Sequence, residues 1–207
     1  MAETEQPQIY LITPPDPELA RFPNLLAAVL DAHDIACLRL ALSSHDEDRI
    51  ARIADACREV AHARDVAVVI SSHVMLSERL GLDGVHLEDA ARSVRAARKT
   101  LGRDAIVGTH CGASRHDGMN AGEAGADYVS FGPVGETTLG DGRRAEAELF
   151  EWWSQMIELP VVAEGGLTPD LVAELAPVTD FFGVGTEIWS SDDPASALGA
   201  LIAGLRG

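Results

Sequence analysis

His110 and Glu164 each close a short run rich in valine and isoleucine, AIVGTHC (105–111) and PVVAEGG (160–166). An imidazole and a carboxylate at the ends of separate strands are residue types that general acid–base catalysis uses. A carboxylate within an apolar run is costly unless it is paired or reaches an opening. Glu164 therefore reads in two ways: as a partly desolvated base whose pKa rises, or as the ion-pair partner of an arginine on another strand. Glycine marks a second kind of chemistry. The ends EGG (164–166) and GVGTE (183–187) bring backbone N–H groups within reach of an anion, and Thr168-Pro169 opens a helix behind the first of them. Tight turning is the competing reason for those glycines. A third stretch, FGPVGETTLGDGRR (131–144), combines glycines with adjacent threonines and Arg143-Arg144, a composition suited to phosphate oxygens.

These residues need a scaffold that brings strand ends together. Eight Val/Ile-rich runs recur at intervals of about 20–30 residues, with helix-like Ala/Leu/Arg/Glu patterns between them. The strands are expected at 8–13, 36–42, 67–72, 84–88, 105–111, 128–133, 160–166 and 181–187. That alternation predicts an α/β chain folded as a single (β/α)8 TIM barrel over residues 1–207, compact for its class; an open doubly wound sheet is the competitor. Pro169 and Pro194 sit at helix starts, and Gly102 and Gly125 at helix stops. In such a barrel the site lies at the C-terminal strand ends, and phosphate is commonly held after strands 7 and 8.

Composition removes several classes of function. A formal net charge of −17 over 207 residues opposes nucleic acid and polybasic membrane contact, so any phosphate must be held locally. Lys99 is the single lysine, which leaves arginine as the phosphate-binding cation. Cys37, Cys57 and Cys111 are widely spaced, and the N-terminus lacks a signal-peptide pattern, so a cytoplasmic location is expected. Cys111 beside His110 invites a nucleophile reading, against that of a buried small residue. His73, His86 and His110 end adjacent strands but show no close metal-ligand spacing. Trp152-Trp153 reads as packing, and a homodimer is the expected assembly.

ERLGLDGVHLED, IVGTHCGASRHDGMNAGEAGADYVSFGPVGETT, LPVVAEGGLTPDLVAEL and IWSSDDPASAL, in this order, resemble thiamine phosphate synthase and its relative the thiazole tautomerase. The resemblance implies a (β/α)8 barrel that joins hydroxymethylpyrimidine pyrophosphate to a thiazole phosphate with Mg2+ and releases pyrophosphate. It places the acceptor phosphate at Gly165, Gly166, Gly185 and Thr186. It also implies pyrophosphate contacts from Arg39, Thr137 and Thr138, with Ser71 and Ser72 standing where the family carries other side chains around the donor.

The departures are specific. Where the family has Gln-x-Arg-x-Lys after strand 2, this chain keeps only Arg39. Ser71-Ser72-His73 replaces the metal-binding Asn-Asp-Arg, and Ala91 falls where a second metal-binding Asp is found, with Glu88 and Asp89 nearby. The family lysine after the threonines is missing, a loss that Arg143 or Arg144 would have to make good. The metal ligands are therefore unassigned. His110 lies two residues before the position of the tautomerase histidine, a spacing that preserves the strand face. Three functions follow: a synthase, a tautomerase-like proton transfer on a thiazole phosphate through His110 or Glu164, or a barrel that binds a phosphorylated thiamine precursor without turning it over.

Overall fold

The structure, a computed structural model, describes residues 6–136 and 143–206. Eight parallel strands close into a barrel in sequence order: β1 (Gln8–Ile12), β2 (Ile35–Leu40), β3 (Ala67–Ser71), β4 (Gly84–Leu87), β5 (Ile106–His110), β6 (Tyr128–Phe131), β7 (Val161–Glu164) and β8 (Phe181–Val184). This is the barrel anticipated from the alternation, and the open sheet is excluded. β6, β7 and β8 stop short of their apolar runs where Gly132-Pro133, Gly165-Gly166 and Gly185 turn the chain out of the ladder.

Helices α1 (Phe22–Ala32), α2 (Glu47–His62), α3 (Val74–Leu80), α4 (Val94–Leu101), α5 (Arg115–Ala124), α6 (Ala147–Met156) and α7 (Pro169–Leu175) follow the first seven strands. The eighth unit differs from the one-helix expectation. Residues 186–187, read as the end of a strand, begin a short α8 (Thr186–Trp189), and α9 (Pro194–Leu201) comes after it. Gly185, at φ −137° and ψ −100°, breaks the strand between them. No described helix is long and apolar enough to cross a membrane.

Alternation along each strand divides the side chains between two cores. Outward residues such as Leu11, Leu38, Ile70, Val107 and Phe182 are fully buried against the helices. Inward residues Tyr10, Cys37, Val69, Tyr128 and Val162 fill the barrel. Gly108 makes room for one of them, since a Cβ there would lie 1.9 Å from Cζ of Tyr128. Trp153 is fully buried, edge-on to Phe131, while Trp152 packs beneath Arg115, which confirms the packing role of this pair.

Register is pinned at the N-terminal rim by a repeated device. Asp83, Asp127 and Asp180 each directly precede an even-numbered strand or its first residue, and each accepts the backbone N–H of a residue on the preceding odd strand. The bonds are Val68 N–H at 2.6 Å, Val107 N–H at 2.7 Å and Val161 N–H at 2.8 Å. The repeat fixes β3, β5 and β7 against their neighbours and so sets the height of the side chains at the opposite end.

Candidate active site

Those side chains form a polar ladder in the C-terminal half of the barrel. His110 on β5 is in register with Ser130 on β6, and Glu164 on β7 is in register with Gly183 on β8. His110 Nδ1 lies 3.0 Å from both Glu164 Oε1 and Ser130 Oγ. The Ser130 hydroxyl donates to the same carboxylate oxygen at 3.1 Å. On the other side, Arg39 Nη1 approaches Glu164 Oε2 at 3.0 Å and donates to His86 Nε2 at 2.7 Å.

Proton positions follow from the donors. Since Arg39 has only hydrogens to give, His86 accepts at Nε2 and carries its proton on Nδ1. It donates to Tyr128 Oη at 2.9 Å, and the Tyr128 and Tyr10 hydroxyls share a hydrogen bond of 2.6 Å. The ladder thus runs from the mouth to the middle of the barrel. Both His86 nitrogens are spent on it, so the histidine trio is not assembled as a metal site.

Electrostatics sort these groups by role. Burial alone would raise the pKa of Glu164, but Arg39 and His110 outweigh it and hold the carboxyl far below its ordinary value. The expectation of a raised pKa is therefore corrected: Glu164 is the ion-pair partner, not a free base. Burial disfavours the His110 imidazolium, yet the hydrogen bond and charge of Glu164 prevail and raise its pKa. His86, buried and beside the Arg39 cation, is driven well below the usual imidazole range and stays neutral. Desolvation lifts the Cys111 thiol to about 12, which removes the nucleophile reading.

Arg39 is only 8% exposed, so it lies under the mouth rather than projecting from it as a free pyrophosphate grip. His110, by contrast, lines a cleft of about 510 Å3 together with Glu88, Asp89, Arg92 and Asp117. Unpaired buried polar atoms gather around this end of the barrel: Arg39 Nε, Ser71 Oγ, Asp89 Oδ1 and Glu164 Oε2. The Glu164 oxygen has its ion pair but no aligned hydrogen bond. Ser72 is held at φ +61° directly after β3 and lines a neighbouring cavity of about 590 Å3 with His73.

The glycine-bearing ends of β7 and β8 meet, as the sequence required. Gly165 and Gly166 take φ of +85° and +73°, and the loop after β6 lies directly on them, with Gly135 N–H donating to Gly165 O at 2.9 Å. A Cβ on Gly135 would sit 1.8 Å from Gly166 O, so the contact demands glycine. The N–H groups of Gly166, Leu167 and Gly185 converge on one point, and that point is occupied by the Glu187 carboxylate. Thr186 is exposed beside it.

Arg143 and Arg144 are both exposed, and Arg144 pairs with Glu136 at 3.0 Å. Thr137 and Thr138 lie outside the described residues. Sequence reasoning overlooked Ser130, Tyr128 and Glu187. The first two were available from alternation in YVSF, which puts them on the inward face with His110. Glu187 was hidden because its run had been read as strand.

The family described as thiamine monophosphate synthase matches residues 9–184. A thiamine-phosphate synthase of Erythrobacter litoralis is 42% identical over 203 residues, covering 95% of both chains. One of Rhodospirillum centenum is 39% identical, covering 97% of this chain and 98% of its own length. Among solved structures, thiamine phosphate pyrophosphorylase from Pyrococcus furiosus superposes with a TM-score of 0.83 at 21% identity, over 96% of this chain and 95% of that one. It shares the barrel. With the family matched along most of its length and relatives this similar across nearly all of it, the chain belongs to the thiamine monophosphate synthase family.

Proposed function

We propose that the chain is a thiamine-phosphate synthase, joining hydroxymethylpyrimidine pyrophosphate to a thiazole phosphate at the C-terminal mouth of the barrel. The observation that carries this reading is that a polar cleft at the ends of β4 and β5, lined by His110, and a backbone N–H cradle at the ends of β7 and β8 both lie at the C-terminal rim of the barrel. In the reaction the pyrimidine methylene C–O bond breaks and pyrophosphate leaves with the electron pair. The thiazole nitrogen then supplies the pair for the new C–N bond. Negative charge develops on the leaving oxygen, so positive hydrogen-bond donors there accelerate the step.

His110 is the residue placed to do this. Glu164 and Ser130 hold its Nδ1, and the imidazole lines the cleft, which leaves Nε2 to donate to a leaving phosphate oxygen. Its raised pKa favours the imidazolium that such a role requires. Arg39 and Glu164 act as positioning residues, one fixing the other. Ser71, Ser72, Thr137, Thr138 and Arg143 surround the donor in this reading, and Gly165, Gly166, Gly185 and Thr186 the acceptor phosphate.

Mg2+ is the cofactor that the family implies. The two family carboxylate positions fall at Ser71-Ser72-His73 and Ala91, and among the described residues no three His, Cys, Asp or Glu side chains group to hold an ion. Asp89 Oδ1 is a single unpaired carboxylate oxygen. Among the described residues these side chains do not build a family-type metal centre. The partners are small phosphorylated thiamine precursors. A cytoplasmic homodimer completes the proposal; three unpaired buried cysteines support the compartment.

A second reading, a tautomerase-like proton transfer, is favoured by one observation: His110 lines the cleft with its imidazole held by Glu164 and Ser130, an arrangement suited to moving a proton without a metal. Incubating the protein with both precursors, with and without Mg2+, and following thiamine phosphate by chromatography decides between them. Thiamine phosphate formation supports the synthase. Absence of turnover at high enzyme in both arms refutes it, and isomerisation of the thiazole carboxylate phosphate would then establish the tautomerase.

A further inference from the structure

The cradle that would hold the acceptor phosphate already contains an anion belonging to the chain. Glu187 Oε1 accepts from Gly166 N–H at 3.0 Å and Leu167 N–H at 3.2 Å, and Glu187 Oε2 accepts from Gly185 N–H at 2.8 Å. These donors come from two loops on adjacent strands and embrace both oxygens of one carboxylate. Only the Gly185 bond is local, two residues back in the chain. The other two cross from β8 to β7, over a separation of 20 or 21 residues.

We propose that Glu187 is an internal surrogate for the substrate phosphate, holding the cradle preformed and leaving it when the phosphate of the acceptor enters. The inference rests on the reading that these strand ends bind phosphate, and it adds a residue that controls their affinity.

Three physical points support it. First, among the described residues Glu187 forms no salt bridge, and the groups that donate to its carboxylate are backbone N–H groups, as they would be for a phosphate. Second, a phosphate cannot share the cradle with the carboxylate, because like charges at hydrogen-bonding distance repel and the N–H groups are already committed. Third, Glu187 is only partly buried, so its side chain can be delivered to water on leaving. Ligand affinity is then reduced by the fraction of molecules in which the carboxylate is out of the cradle. Glu187 becomes a specificity device as well, since only a ligand anion that satisfies all three N–H groups replaces what is lost. A neutral acceptor lacking phosphate would leave the carboxylate in place.

Inorganic phosphate tests this without any dependence on turnover. Titration calorimetry on the wild type, Glu187→Gln and Glu187→Ala should show phosphate binding at least 10-fold tighter in both variants, most so in Glu187→Ala, which clears the cradle. Equal or weaker binding in folded variants would show Glu187 to be a brace and overturn the proposal. If either variant fails to fold, 15N- and 13C-resolved titration of the wild type with thiazole phosphate gives the answer. Amide signals of Gly166, Leu167 and Gly185 must shift together with the Glu187 side-chain carboxyl carbon, and a carboxyl signal that stays fixed while the amides saturate overturns it. Wild-type protein that makes thiamine phosphate without perturbing these amides would also overturn the inference while leaving the synthase reading intact. Amide and carboxyl shifts without turnover would sink the synthase reading alone.

Discussion

Removing Glu164 should destabilise the protein far more than removing Arg39, although the two form one buried ion pair. Their side chains are 11% and 9% exposed, so both are largely desolvated. Glu164→Leu leaves the Arg39 guanidinium with His86, which is neutral, and with the face of Tyr10 at 5.8 Å. Stranding one partner of such a pair costs ~3–5 kcal/mol. For a chain of this size that lowers Tm by roughly 6–20 °C. Arg39→Met strands Glu164 differently, because His110 and Ser130 remain on Oε1 at about 3 Å. A charge-assisted hydrogen bond of that kind is worth about 1.5–3 kcal/mol, so the loss should fall to about 1–3 kcal/mol. The assay is urea unfolding followed by tryptophan fluorescence for both single variants and the double variant. Stability of Arg39→Met should also depend on pH, because among the described residues His110 is then the remaining cation on Glu164. His110 has a folded pKa above its ordinary value, so its contribution is complete below about pH 6.5 and is lost as pH rises through the folded pKa. Equal losses in the two single variants, or an Arg39→Met stability flat from pH 6 to 9, would refute the compensation. Losses under 1 kcal/mol in both would refute the buried pair itself.

Other perturbations probe the remaining parts of the scaffold. Glu164→Gln should bring the His110 pKa down, because burial then acts without the opposing carboxylate; imidazole NMR titration reads this, and an unchanged pKa would contradict the geometry. Gly108→Ala drives a Cβ to 1.9 Å from the Tyr128 ring, an overpacking expected to cost ~1–3 kcal/mol in denaturant unfolding and to disturb the Tyr128–His86 hydrogen bond. Asp83→Ala removes the acceptor of Val68 N–H and His62 Nε2, and should cost about 1–3 kcal/mol, with faster amide exchange at Val68 than at Val107.

The barrel was legible in the sequence because a parallel strand covered on both faces must read as a continuous apolar run, and eight such runs alternate with helical patterns. The helix starts at Pro169 and Pro194 and the stops at Gly102 and Gly125 were legible for local reasons: proline fixes φ and glycine tolerates the turn. The end of β8 was not. GVGTE looks like an extension of FFGV, and only the backbone break at Gly185 turns Thr186 and Glu187 into the first residues of a helix. The site was half legible. His110 and Glu164 stood out as polar residues in apolar runs, but which of two opposing effects sets the Glu164 pKa depends on Arg39, 125 positions away in the chain. Pairing of that kind is a property of barrel closure and leaves no local mark.

One regularity links these positions. At the mouth, carboxylates of the chain already engage the groups that a phosphate ligand would seek: Glu164 on Arg39 and His110, Glu136 on Arg144, and Glu187 on the backbone cradle. A chain with net charge −17 and a single lysine has little cationic surplus to offer, so its few donors are preorganised around its own anions. Under the proposed displacement of Glu187, phosphate binding at the cradle is an exchange of anions rather than the filling of a positive pocket. The long-range field gives no attraction, and selectivity falls to geometry: a ligand gains only where its oxygens match the donors better than the displaced carboxylate did. That requirement is most stringent at the cradle, where the three N–H groups are fixed by the strand ends and the tetrahedral phosphate has more oxygens than Glu187 to offer them.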